Sequence, residues 1–122
     1  MSKINSYKDL IAWQKGMELV DEIYKITNQL PDKERLGLIC QINIAAISVC
    51  ANVAEGWGRE SSKSYIQFLK IARGSLFELE TLLLIADKQY EINKEQIEKA
   101  FSLQNETSRI LNGLIKSIEL KN

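Results

Sequence analysis

The chain has 122 residues and a mass of 13.9 kDa, which suits one domain built around one hydrophobic core. Sixteen Lys and Arg balance sixteen Asp and Glu, so no whole-chain field draws in nucleic acid or an anionic membrane, and a charged partner must meet a local patch. The lack of His removes His-based acid–base chemistry, Ser-His and Cys-His nucleophile pairs and the commonest metal ligand; no enzyme activity, metal or cofactor is expected.

Helical periodicity dominates, and it predicts four helices with almost no room for strands. The first is expected from about Asp9 to Gln29, with Leu10, Trp13, Met17, Val20 and Tyr24 recurring at steps of three and four. Pro31 ends it or opens the next, because its ring pre-sets a first helical turn and supplies no N–H.

The second helix is expected from near Asp32 to Glu55, with Gly56 as a left-handed cap. It contains an uncharged run between Arg35 and Glu55, long enough to raise a membrane span. Gln41, Asn43 and Asn52 would place amides in hydrocarbon and no basic cluster flanks the run, so a soluble helix is expected. Such a helix, apolar nearly all round, needs cover on nearly all sides, and another subunit can supply it. Cys40 and Cys50 lie on it about 15 Å apart along the axis, too far to pair. With no Cys-x-x-Cys and no secretion signal in the first residues, a reducing cytoplasm is the expected location.

On this helix Gln41, Ser48, Asn52 and Glu55 fall within about 60° of one another, while Asn43 lies opposite. Buried polar side chains need partners, so the stripe reads either as a buried interhelix network, with Glu55 held by Arg59 or by free N–H groups of helix three, or as a small-molecule or catalytic site. Ser48 has neither His nor a Ser-x-x-Lys base to activate it. The connection from Gly56 to Ser62 has too few glycines at the right spacing for a nucleotide loop; it reads as a capping turn in which Trp57 anchors the turn or a subunit contact.

Helix three, capped by Ser61 or Ser62, is expected to reach about Asp87, and it carries a bundle seam: Tyr65, Leu69, Ala72, Leu76, Leu79, Leu83 and Ala86. Ile71, Phe77, Leu84 and Ile85 point away from that seam and form a second apolar face, which predicts a homo-oligomer interface. Arg59, Lys63, Lys70 and Arg73 make the basic half of this region, a candidate phosphate contact for RNA or DNA. Gly16 and Gly74 lie within helices, where close helix approach is the expected reason for them. Asn93 followed by Gln96 has the form of a capping box, and helix four continues to near Lys121. Four long segments with short connections predict an all-α, antiparallel up-down-up-down four-helix bundle.

Three stretches in order, Asp9-Leu10-Ile11-Ala12-Trp13-Gln14-Lys15, Gln41 to Arg59 with Asn52-Val53-Ala54-Glu55-Gly56, and Phe68 to Glu80, resemble the four-helix bundle proteins encoded in intervening sequences of bacterial 23S rRNA genes. The resemblance implies a homopentamer. It also implies a likeness to the accessory variability protein of diversity-generating retroelements, a basic pentamer that binds nucleic acid and a reverse transcriptase. The chain departs from many relatives in carrying Asn43-Ile44 where they carry Arg-Arg, and Cys50 where Pro is common. Three functions follow as expectations: a homo-oligomeric scaffold that binds RNA or DNA, a module for a protein partner, or an enzyme using the Gln41, Ser48, Asn52 and Glu55 stripe.

Overall fold

The computed structural model describes residues 3–121. Four helices fill it, α1 (Ile11–Thr27), α2 (Leu38–Trp57), α3 (Ser62–Tyr90) and α4 (Lys94–Leu120), with short 3-10 turns at Tyr7–Asp9 and Asp32–Glu34 and no strand among the described residues. Helix α1 touches α2 and α4, and α3 touches the same two; α1 and α3 do not meet, nor do α2 and α4. One core therefore runs up the middle of a four-cornered arrangement, filled by Leu19, Ile23, Ile42, Val49, Leu69, Leu76, Leu83 and Leu111, all fully buried.

The order of contacts along each helix pair is regular. Gly16 faces Cys50, while Thr27, further along α1, donates its hydroxyl to Asn43 Oδ1 at 3.0 Å. Ser48 meets Ser75, while Gly56 meets Tyr65 and Phe68. Between α3 and α4, Arg73 reaches Asn112 and the Leu76 carbonyl is met by Gln104.

The helix ends have local causes. Ser6 accepts from the Lys8 N–H, and the Asp9 carboxylate takes the N–H groups of Asn5 and Ser6, so the chain enters through a capped 3-10 turn and α1 begins only at Ile11. Pro31 sets up a second 3-10 turn, and α2 begins at Leu38, six residues later than the periodicity predicts from Asp32. Ser61 caps α3 by accepting from the Ser64 N–H at 3.1 Å, as expected. Asn93 caps α4 by accepting from the Gln96 N–H, but Gln96 Oε1 accepts from Gln29 Nε2 of the α1 end, so the box is half closed and its other arm ties two helices together.

Gly56 is not a left-handed cap. It lies inside α2 with a helical backbone, and a Cβ there would come within 3.0 Å of both the Phe68 Cβ and the Tyr65 ring, so the closeness of α3 demands glycine. The left-handed residue is Glu91 at the end of α3, with φ 51°, its N–H bonded to the Asp87 carbonyl. Gly16 behaves as expected, with its missing Cβ 3.1 Å from the Cys50 Cβ, whereas at Gly74 a Cβ would meet nothing within 4 Å.

The inner seam of α3 is buried as read from Leu69 to Ala86, with Tyr65 partly exposed. The α1 stripe is borne out only in part. Leu10 is buried and Trp13 and Val20 pack against the core, but Met17 and Tyr24 are exposed, and the centre of the buried face is Ala12, Gly16, Leu19, Ile23 and Ile26, rotated by about 100°. Both rows are apolar; the smaller residues win because α2 packs closely over Gly16.

Candidate functional site

Two surfaces follow from this packing. The first is apolar and spans α2 and α3. Helix α2 presses Ile42, Ala45, Ala46, Val49 and Val53 inward and leaves Ile44 and Ile47 outside; α3 leaves Ile71, Phe77, Leu84 and Ile85 outside. These six side chains are 41–60% exposed on two helices that pack directly on each other. By length and composition α2 alone could cross a membrane, yet about a third of that segment is buried and it packs against both α1 and α3.

Of the predicted polar stripe, Ser48 and Asn52 come together, with a residue the sequence reading missed. Asn52 Nδ2 donates to Ser48 Oγ at 2.9 Å and to the Ser48 carbonyl at 2.8 Å. Ser48 Oγ lies 2.8 Å from Ser75 Oγ, which donates to the Ile71 carbonyl at 3.1 Å. A hydroxyl has one proton, and that of Ser75 goes to Ile71, so Ser48 must donate to Ser75. The result is a directed chain from Asn52 through Ser48 and Ser75 to Ile71, clamping α2 to α3 and committing the Ser48 proton. The stripe is only half buried at these two positions, and Gln41 and Glu55 are exposed and lie outside the chain. Helix α3 approaches along the Ser48 side, so Gln41 and Glu55 fall on the solvent edge of the contact. A hydroxyl at Ser75, between the inward Ala72 and Leu76, is the signal that could have identified the missing partner.

The second surface is the basic one at the start of α3. Lys63 and Lys70 share a shallow open groove with Ser62, Ile66, Gln67 and Glu119, the last from the end of α4. Arg59 and Arg73 are engaged elsewhere. Arg59 pairs with Glu55 at 3.2 Å, four residues back on the chain, and its guanidinium stacks 4.5 Å over the Phe68 ring; Arg73 donates to Asn112 Oδ1 at 2.9 Å. The four basic residues thus divide into two that brace the fold and two that face the groove. Trp57 is half buried, its ring edge-on to Tyr65 at 6.4 Å across the α2–α3 turn. Burial raises the Tyr65 phenol above its usual range, and its hydroxyl has no hydrogen-bond partner among the described residues.

Neither cysteine pairs. Cys50 is buried against Gly16 and burial pushes its thiol up, so it stays protonated and packs as a small apolar group. Among the described residues no group of three or more His, Cys, Asp and Glu could hold a metal ion.

Residues 8–113 match the family described as 23S rRNA-intervening sequence protein. A solved structure, described as a protein of unknown function from the S23 ribosomal protein family of Bacteroides thetaiotaomicron, superposes with a TM-score of 0.78 at 23% identity, over 87% of this chain and 99% of that one. At that identity the likeness speaks for the fold. No curated protein matches. With all but its first seven and last nine residues inside the family's pattern, the chain belongs to the 23S rRNA-intervening sequence protein family.

Proposed function

We propose that this protein is a non-enzymatic cytoplasmic scaffold: an antiparallel up-down-up-down bundle that assembles into a homopentamer and offers the Lys63 and Lys70 groove to RNA or DNA. The observation that carries the assembly is the six-residue apolar face over α2 and α3, which stands in water in the single chain. The contact order supports the up-down path, since residues further along one helix meet residues earlier on the next in every neighbouring pair. Repetition around a ring multiplies a groove of two lysines into a surface able to hold several phosphates, which a neutral monomer lacks.

Titration with a structured RNA at low and moderate salt tests the ligand. Affinity is expected to fall as salt rises, and Lys63→Glu with Lys70→Glu is expected to weaken binding by about tenfold or more at low salt. No binding at low salt, or binding indifferent to the charge reversal, rejects nucleic acid as the ligand.

The engagement of Arg59 and Arg73 within the chain favours a second reading, a ring that engages a protein partner and keeps its balanced charge for solubility. Recovery of a defined protein after nuclease treatment is the outcome that selects it. The Gln41, Ser48, Asn52 and Glu55 stripe gains nothing as an enzyme site, because the Ser48 proton is committed to Ser75 and no base adjoins it.

A further inference from the structure

The outward side of α3 is a groove with a seven-residue period. Ile71, Glu78 and Ile85 make one wall, Phe77 and Leu84 the other, and Gly74 and Thr81 lie along the floor between them. All of these residues are exposed. The Thr81 hydroxyl donates back to the Phe77 carbonyl at 3.0 Å, so the floor presents no unmet donor. Gly74 has nothing within 4 Å of where its Cβ would stand. A glycine in mid-helix weakens the helix relative to alanine, and here nothing inside the chain requires it. Gly16 shows one use of a mid-helix glycine, since a Cβ there would stand 3.1 Å from the Cys50 Cβ of the crossing helix; Gly74, like Gly113 of α4, is open, and of these two only Gly74 lies between two apolar walls.

The outward side of α2 has the complementary form. Cys40, Ile44, Ile47 and Ala51 recur at steps of four, three and four, the spacing of a helix seam, and none carries charge. We propose that α2 of one copy seats its Cys40–Ala51 seam in the α3 groove of a second copy, crossing over Gly74. This rests on the self-association proposed above and specifies its contact.

The occupant follows from three arguments. In each such contact Ile44 and Ile47 of one copy and Ile71, Phe77, Leu84 and Ile85 of the next together bring about 500 Å² of apolar side chain at their observed exposures, roughly half the apolar content of a standard interface of about 1,600 Å² in total, and a closed ring buries that whole amount on every copy. Seating α2 on α3 covers both faces with one kind of contact, whereas α3 on α3 leaves Ile44 and Ile47 in water. An α3–α3 contact would also bring two Glu78 carboxylates together, whereas the α2 seam adds no charge beside the single Glu78 of the groove wall. A contact between two different faces runs head to tail, and it closes into a ring where the rotation allows.

Head-to-tail contact has a consequence that a face pairing with itself lacks. One variant carries Ile44→Glu with Ile47→Glu and so loses the seam; a second carries Gly74→Leu and so fills the groove. All three positions point outward, so both variants should keep the helical circular dichroism of the parent. In sedimentation velocity each alone is expected to be monomeric, its association weakened by about a hundredfold or more. Mixed in equal amounts they should form a one-to-one dimer and stop there, since one supplies an intact groove and the other an intact seam. A mixture that stays monomeric while the parent assembles overturns the docking and leaves self-association standing; so does either variant assembling like the parent. A monomeric parent overturns both.

Discussion

The two halves of the molecule are held together by different means. Between α1 and α4 the surface contacts are ionic, Lys15 reaching Glu106 at 3.6 Å and Lys99 reaching Glu22 at 3.4 Å, and each is backed by a pair within α1, Lys15 with Glu18 at 3.2 Å and Lys25 with Glu22 at 3.0 Å. Between α2 and α3 the contacts are close and uncharged: Gly56 against Phe68 and Tyr65, and the Asn52–Ser48–Ser75 chain. The α1 and α4 side leaves Ile11, Met17 and Tyr24 exposed, fewer large apolar side chains than the six on α2 and α3. The α2 and α3 side carries six large apolar side chains left exposed, in one row on each helix.

The largest effect that sharpens this contrast is inside against outside on one helix. Leu79→Ala removes a fully buried side chain from the α3 seam and should cost about 2 to 5 kcal/mol in urea denaturation, while Phe77→Ala, two residues away, should change monomer stability by less than about 0.5 kcal/mol. The two glycines come next. Gly16→Val forces a branched side chain against Cys50 and should destabilise by about 1 to 3 kcal/mol, whereas Gly74→Ala in a monomeric Ile44→Glu background should stabilise by about 0.5 to 1 kcal/mol.

A third prediction concerns α3 and α4. Gln104 is buried; its Nε2 donates to the Leu76 carbonyl at 2.8 Å, but its Oε1 has no partner among the described residues. Gln104→Leu should therefore raise thermal stability, by about 1 kcal/mol, because it removes an unsatisfied acceptor and loses only one neutral hydrogen bond. A clear loss of stability would show that the amide holds the register of α4.

The smallest effect belongs to the ionic half. Lys25 first, with Lys99 behind it, holds the Glu22 carboxyl below its usual range, against the opposing effect of burial. A folded-state pKa below the unfolded one gives stability that is present above the ordinary carboxylate range and lost as pH falls through the folded value. Both lysines are exposed, so the contribution is screened to about 0.5 to 1 kcal/mol. Glu22→Gln should flatten the acid limb of the stability curve by that amount, with little change at low pH, where the carboxyl is already protonated.

Much of this was legible before folding. The α3 seam lay in its four-three spacing, and its outward row in Ile71, Phe77, Leu84 and Ile85, because both patterns belong to a single helix. The α1 stripe was legible only in part, since two apolar rows competed and only the approach of α2 at Gly16 chose between them. The site was half legible: Ser48 and Asn52 were found, but Ser75 lies on another helix and no spacing rule links it to them. Gln41 and Glu55 share their side of α2 and still fall outside the network, because the line along which α3 approaches is not a property of α2.

What the sequence alone determined is the helical class, the caps at Ser61 and Asn93, the uncharged α2 and the family pattern, all local consequences of residue order. Only the tertiary structure decided which glycine admits a neighbour and which opens to water, which two of four basic residues are engaged, and that the outward rows of α2 and α3 both stay uncovered in the single chain. Each of those depends on the distance between helices, and that distance is set by the packing of the whole core, which no single segment encodes.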